Sequence, residues 1–123
     1  MDVKDLAVSY HPQGNNCAQC VLKSCKEFTG LDDETAFAIA NGFGGGLRSG
    51  EICGSISGGV MAIGLAAAKK GITAIAPVAK AYVNEFSEKY GCVRCVELKG
   101  KGISCDELIG FGAEMAERYI NNL

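Results

Sequence analysis

The stretch Gly42-Phe43-Gly44-Gly45-Gly46-Leu47-Arg48-Ser49-Gly50-Glu51-Ile52-Cys53-Gly54-Ser55-Ile56-Ser57-Gly58-Gly59-Val60-Met61-Ala62-Ile63-Gly64-Leu65 joins a glycine-rich loop to a run of small and apolar residues, with a cysteine at the junction. No charge falls between Glu51 and Lys69. That run is at the short limit for a membrane span, and Ser and Gly interrupt it, so it reads as a buried helix from Cys53 to about Lys70, stopped at Gly71. The loop does not read as a nucleotide cradle. No strand precedes it, Leu47 breaks the dinucleotide spacing, and no Gly-Lys-Ser/Thr follows.

Helical signals continue on both sides. Asp2 to Tyr10 carries Val3, Leu6 and Ala7, and His11-Pro12-Gln13-Gly14 reads as a turn. Asn15 or Asn16 can cap a helix reaching about Phe28, which Thr29-Gly30 ends. The acidic start Leu31-Asp32-Asp33-Glu34 suits the positive end of another helix. Thr73 can cap a helix to about Tyr90, with Pro77 in its first turn and Ile75, Ala79, Tyr82 and Phe86 at helical spacing. Gly91 to Gly102 reads as a loop holding Cys92 and Cys95. Ser104 and Glu107 form a capping box that opens a last helix to about Asn121. Strand alternation, repeats and linkers are not evident. The expectation is one all-α domain over residues 1–123, a compact bundle of five to six helices with the glycine-rich loop before the central helix.

Of the 123 residues 48% are hydrophobic, enough for a core, and the formal net charge is −2. No Lys/Arg cluster exceeds a pair, which argues against a nucleic-acid or anionic-membrane partner. The charged start Met1-Asp2-Val3-Lys4-Asp5 lacks an apolar signal core. Seven cysteines, an odd number, do not suit a secreted disulfide framework. A cytoplasmic location is expected, where dense cysteine points to thiol redox chemistry or metal binding.

Cys53 is the leading candidate for a reactive thiol. At a helix start, unpaired N–H groups and the helix dipole stabilise a thiolate below the usual pKa of roughly 8.5. Gly54 and Gly58 leave room beside it. Cys17 and Cys105 also fall in first turns. Cys17 and Cys20 form a C-x-x-C, as do Cys92 and Cys95; such pairs can close a disulfide or chelate a metal. Arg94 beside Cys95 would favour a thiolate there. Cys20 and Cys25 lie within their helix and read as core. Arg48 could hold a small anion near Cys53 or simply be solvated, and His11, the only histidine, reads as a turn residue more than a base.

Asn16-Cys17-Ala18, Gly42-Phe43-Gly44-Gly45-Gly46, Cys53-Gly54-Ser55-Ile56-Ser57-Gly58, Cys95-Val96-Glu97-Leu98 and Cys105 together resemble the C_GCAxxG_C_C family, redox-active proteins named for a C-G-A-x-x-G motif and four separated cysteines. Ser55 stands where that motif has Ala. The resemblance implies that Cys17, Cys53, Cys95 and Cys105 are the site, and that Cys20, Cys25 and Cys92 are additional. Selenocysteine at the position matching Cys17 in some members implies a redox nucleophile there.

The leading functional expectation is thiol–disulfide exchange or electron transfer, with Cys53 as the activated thiolate, Cys17 as its attacking or resolving partner, and Cys95 and Cys105 completing the site. The partner would be a redox protein or a small thiol or disulfide. Two alternatives stand beside it. One is a zinc or iron–sulfur carrier using the same four cysteines as ligands. The other is a non-catalytic homodimer or interaction module built on the small-residue helix.

Overall fold

The computed structural model describes residues 1–123 and is all-helical. Eight α-helices run in order: α1 Val3–Tyr10, α2 Cys17–Ser24, α3 Lys26–Thr29, α4 Asp33–Ala40, α5 Gly54–Lys69, α6 Ala76–Tyr90, α7 Cys95–Gly100 and α8 Cys105–Asn121. The fold class follows the expectation, but the count is higher. The long elements fall close to their expected bounds, and the two additional helices are short. The helix expected to run on to Phe28 breaks at Cys25, whose backbone leaves helical geometry (ψ 15°), and α3 resumes after it. The segment expected to be a loop from Gly91 to Gly102 contains α7. α6 starts at Ala76, with Ile75 and not Thr73 at its cap position.

α5 is the central element. It packs against α2, α8, α3 and α6. Its lack of side-chain bulk is what permits this. A Cβ on Gly58 would come within 2.6 Å of the Ala18 carbonyl oxygen, and one on Gly54 within 2.5 Å of the Cys17 sulfur. Interiors pack at crystal-like density, so helices this close leave no space for a methyl group. Gly59 similarly gives way to Tyr82, fully buried, whose hydroxyl donates to the Gly112 carbonyl at 2.8 Å. Val21, Leu22, Ile56, Ile63, Phe86 and Ile109 fill the rest of the core. Each such side chain contributes roughly 1.5–3 kcal/mol of burial. No helix is long and apolar enough to cross a membrane.

The glycine-rich loop is highly ordered in shape. Gly45, Gly46, Leu47 and Arg48 take positive φ in succession (61°, 64°, 59° and 57°), making one left-handed turn closed by the Glu51 N–H donating to the Gly46 carbonyl at 2.9 Å. Glycine takes this conformation freely, whereas Leu47 and Arg48 carry a strain of about 1–2 kcal/mol each. Arg48 offsets part of it, since its Nη2 donates to the Asn41 carbonyl (2.8 Å) and side-chain oxygen (3.0 Å).

Candidate functional site

α2 begins where it does because Asn16 caps it. The Asn16 side chain accepts from the Gln19 N–H at 2.9 Å, and the Gln19 side chain accepts from the Asn16 N–H at 2.8 Å. Such a box is worth about 1 kcal/mol. The buried Gln19 also donates to the Phe37 carbonyl, and Asn16 to that of Asn41, tying the start of α2 to the end of α4. Cys17 is thereby held as the first helical residue, facing the left-handed turn and the start of α5.

Cys53 is the cap residue of α5. Its N–H donates to the Val93 carbonyl at 2.9 Å, and the side chain is almost fully buried. Cys105 opens α8, where Ser104 accepts from the Glu107 N–H at 3.1 Å. Cys95 opens α7, its N–H donating to the Glu51 carbonyl at 2.6 Å. The isolated bridge between Ile52 and Arg94 brings the segment before Cys95 against the segment before Cys53.

These four side chains share one cavity. Cys17, Cys53, Cys95 and Cys105 all line one cavity of about 230 Å³. All seven cysteines are free thiols. Of each C-x-x-C, the cavity takes one member only. Cys20 is fully buried, its sulfur directed to the Asn15 carbonyl at 3.7 Å, and Cys92 turns to the Tyr90 carbonyl at 3.8 Å. Cys25 is buried against Ser24. The three cysteines that the resemblance leaves aside are therefore outside the cavity.

The charge falls on a different sulfur from the one expected. The Cys53 thiol beside it is the main reason that Cys17 is held below an ordinary thiol. The backbone N–H groups of Gly45, Ala18 and Gly54 add to the effect and outweigh the cost of burial. Cys53 is pushed up, first by its pairing with Cys17, then by burial and by the negative charge on Cys17. The sequence places the anion on Cys53 because Cys53 stands at a helix start, with free N–H groups and with Gly54 and Gly58 leaving room beside it. In the folded chain Cys53 supplies the proton, and donors from three separate segments converge on Cys17 instead.

Cys105 is raised, chiefly by burial and then by the Cys17 charge, while the nearby Lys99 ammonium pulls the other way. Arg94, expected to activate Cys95, is instead paired with Glu51 at 3.1 Å. The cation on the cavity wall is Lys99, one turn further along α7, together with Arg48. His11 is part of the wall as well, its Nδ1 2.7 Å from the Asp106 carboxylate. It is a turn residue, as its sequence context suggests, but α8 draws that turn to the cavity from 95 positions away.

No group of three or more His, Cys, Asp or Glu side chains stands close enough together to hold a metal ion. The four cysteines wall a common space without converging on a common point, so the residues as they stand do not fit a tetrahedral sulfur site, which needs four sulfurs at about 2.3 Å from the metal.

The fold and cavity thus define a class: a small helical protein in which four thiols line one cavity, with backbone N–H groups favouring the thiolate form of one of them. The chain belongs to the C_GCAxxG_C_C family, described as "Putative redox-active protein", whose family model matches residues 15–119. That span contains all four cavity cysteines. No curated protein and no solved structure matches the chain.

Proposed function

We propose that this protein carries out thiol–disulfide exchange as a single domain, with Cys17 as the nucleophile and Cys53 as the resolving thiol. The observation that carries the reading is the Cys17 sulfur, lowered to about 6 by the Cys53 thiol and three backbone N–H groups on the wall of an open cavity. A thiolate is the species that attacks a disulfide, and one titrating near ambient pH combines population with nucleophilicity.

In the first step the Cys17 thiolate attacks one sulfur of a disulfide R–S–S–R. A Cys17–S–R bond forms, the S–S bond breaks, and R–S⁻ leaves. Cys17 is then neutral and no longer opposes ionisation of Cys53. Cys53 gives up its proton to the departing thiolate and attacks the Cys17 sulfur, releasing the second R–S⁻. The disulfide gains two electrons and the Cys17–Cys53 pair loses them. Cys95 and Cys105, on the same cavity, are available to pass the oxidation on.

The mononuclear zinc alternative draws on the same four sulfurs, but the lack of any three converging ligands counts against it. Oxidation with a limiting small disulfide followed by non-reducing peptide mapping tests the exchange reading. The expected product is a Cys17–Cys53 disulfide, reached through a mixed disulfide on Cys17 that accumulates in Cys53→Ser. Adducts on other cysteines with Cys17 untouched would overturn it.

A further inference from the structure

We infer that the substrate is a small anionic disulfide or thiol, carrying carboxylate or comparable acidic groups, with Lys99 and Arg48 as its charge-recognising residues. The inference rests on the exchange reading above and specifies what enters the cavity.

The protein as a whole is acidic, with a formal net charge of −2. The cavity is not. Apart from its four cysteines, the ionisable side chains that line it are His11, Arg48 and Lys99, and no Asp or Glu is among them. The carboxylate nearest in chain position to a cavity cysteine, Asp106, is engaged by His11 at 2.7 Å, and Glu51 is engaged by Arg94. Lys99 is exposed and close enough to Cys105 to favour its thiolate form, though burial and the Cys17, Cys95 and Asp106 charges together outweigh it. Arg48 is anchored through one nitrogen on Asn41, in the left-handed turn that also supplies the Gly45 N–H to Cys17. The backbone strain at Arg48 and its anchoring on Asn41 hold a cation at the edge of the nucleophile's cavity.

Size points the same way. About 230 Å³ is less than the roughly 300–1,000 Å³ of clefts that take drug-sized ligands. A compact disulfide of a few carbons per arm fits, while a disulfide within a protein surface would have to be presented on a protruding tip. A bare thiolate in an acidic protein would favour cationic disulfides. Fixed cations at the wall reverse that order, since charge of one sign lining a cleft steers ligands of the other sign by factors of 10 or more.

The test uses three disulfides of similar length: 3,3′-dithiodipropionate (anionic), bis(2-hydroxyethyl) disulfide (neutral) and cystamine (cationic). The second-order rate of Cys17 oxidation, counted as mixed disulfide plus Cys17–Cys53 disulfide, is followed by rapid quench and mass spectrometry at pH 7.5 and low salt. The expected result is that the anionic probe outpaces the cationic one by about tenfold or more, with the ratio shrinking as salt screens the charges. Lys99→Glu should lower the ratio about tenfold. Lys80→Glu, the same change in net charge on α6 away from the cavity, should leave it within about twofold. Equal rates, a cationic preference, or equal responses to both variants would overturn the anionic substrate and leave Cys17 as the nucleophile. Finding neither a mixed disulfide on Cys17 nor a Cys17–Cys53 disulfide with any probe would overturn both readings.

Discussion

α2 contains one cysteine at its first residue and another a turn later, and a third follows at its end. The first and the other two are chemically opposite. Cys17 is drawn down to about 6, whereas burial pushes Cys20 up to about 12 and Cys25 up to about 11. The side-chain chemistry is identical and the helix is the same. What differs is the supply of donors. At the start of a helix, N–H groups are free and the cavity is open. One turn in, the N–H groups are spent on the helix ladder, and the Cys20 sulfur meets a carbonyl oxygen, which repels a thiolate. A helix start is not sufficient, since Cys53 and Cys105 also stand at helix starts and are raised; what sets Cys17 apart is that the Cys53 thiol and N–H groups from separate segments meet at its sulfur.

The sharpest way to break this comparison is differential labelling. At pH 7 the thiolate population favours Cys17 over Cys25 by roughly 10⁴, and the lower nucleophilicity of a less basic thiolate takes back about 10² of that. Iodoacetamide should therefore modify Cys17 at least about a hundredfold faster than Cys25, with Cys20 slower still. The Cys17 rate should rise as pH climbs through about 6 and then level off, because the thiol is protonated below that value. Equal rates across α2, or a Cys17 profile still rising at pH 9, would remove the distinction.

A second comparison separates packing from chemistry along α5. Gly54 and Gly58 both face α2 without room for a methyl group, but only Gly54 faces the sulfur. Either substitution by Ala should cost about 1–3 kcal/mol, read as a lower denaturation midpoint. Gly54→Ala should also lift the pH midpoint of Cys17 labelling, since the new Cβ displaces the sulfur from the N–H groups of Gly45, Ala18 and Gly54. Gly58→Ala should leave that midpoint in place. A common shift in both would mean that loosening the α2–α5 contact, and not the local donors, sets the thiol's acidity.

Much of this arrangement is legible in the sequence, and the rest fails for identifiable reasons. Caps are local, so Asn16 and Ser104 can be read from neighbouring residues. The small-residue run of α5 announces close packing by composition alone, and the separated cysteine motifs point to one shared cavity. The identity of the anion is not local. It depends on N–H groups from residues 18, 45 and 54 arriving at one atom, and no single segment shows that. Lys99 is hidden because Gly91 to Gly102, with two glycines at its ends and Arg94 beside Cys95, looks like a loop. In fact α7 turns Lys99 to the cavity while Glu51 occupies Arg94. The left-handed turn is unreadable at Leu47 and Arg48 because both residue types disfavour positive φ. The contact of His11 with Asp106 spans most of the chain and leaves no periodic trace.

The smallest predicted effect concerns Ser55, where the family motif has Ala. Its hydroxyl is fully buried and has no hydrogen-bond partner, and an orphaned buried hydroxyl costs about 1–3 kcal/mol. Both the Ser55 N–H and its side chain favour the Cys53 thiolate, though less strongly than the Cys17 bond and burial oppose it. While Cys17 is charged, Cys53 stays protonated and the hydroxyl has little to do. Once Cys17 is in a mixed disulfide, Cys53 must ionise, and the hydroxyl can then donate to the new anion. Ser55→Ala should therefore leave the first step at Cys17 within about twofold and slow release of the second thiol roughly three- to tenfold. The pH midpoint of that second step should move upward, because a thiolate that has lost a donor forms only at higher pH. Removing the unpartnered hydroxyl should at the same time leave stability equal or slightly higher. An unchanged second step would mean that Cys53 ionises without help from its own helix, and that the hydroxyl is a packing feature of α5 alone.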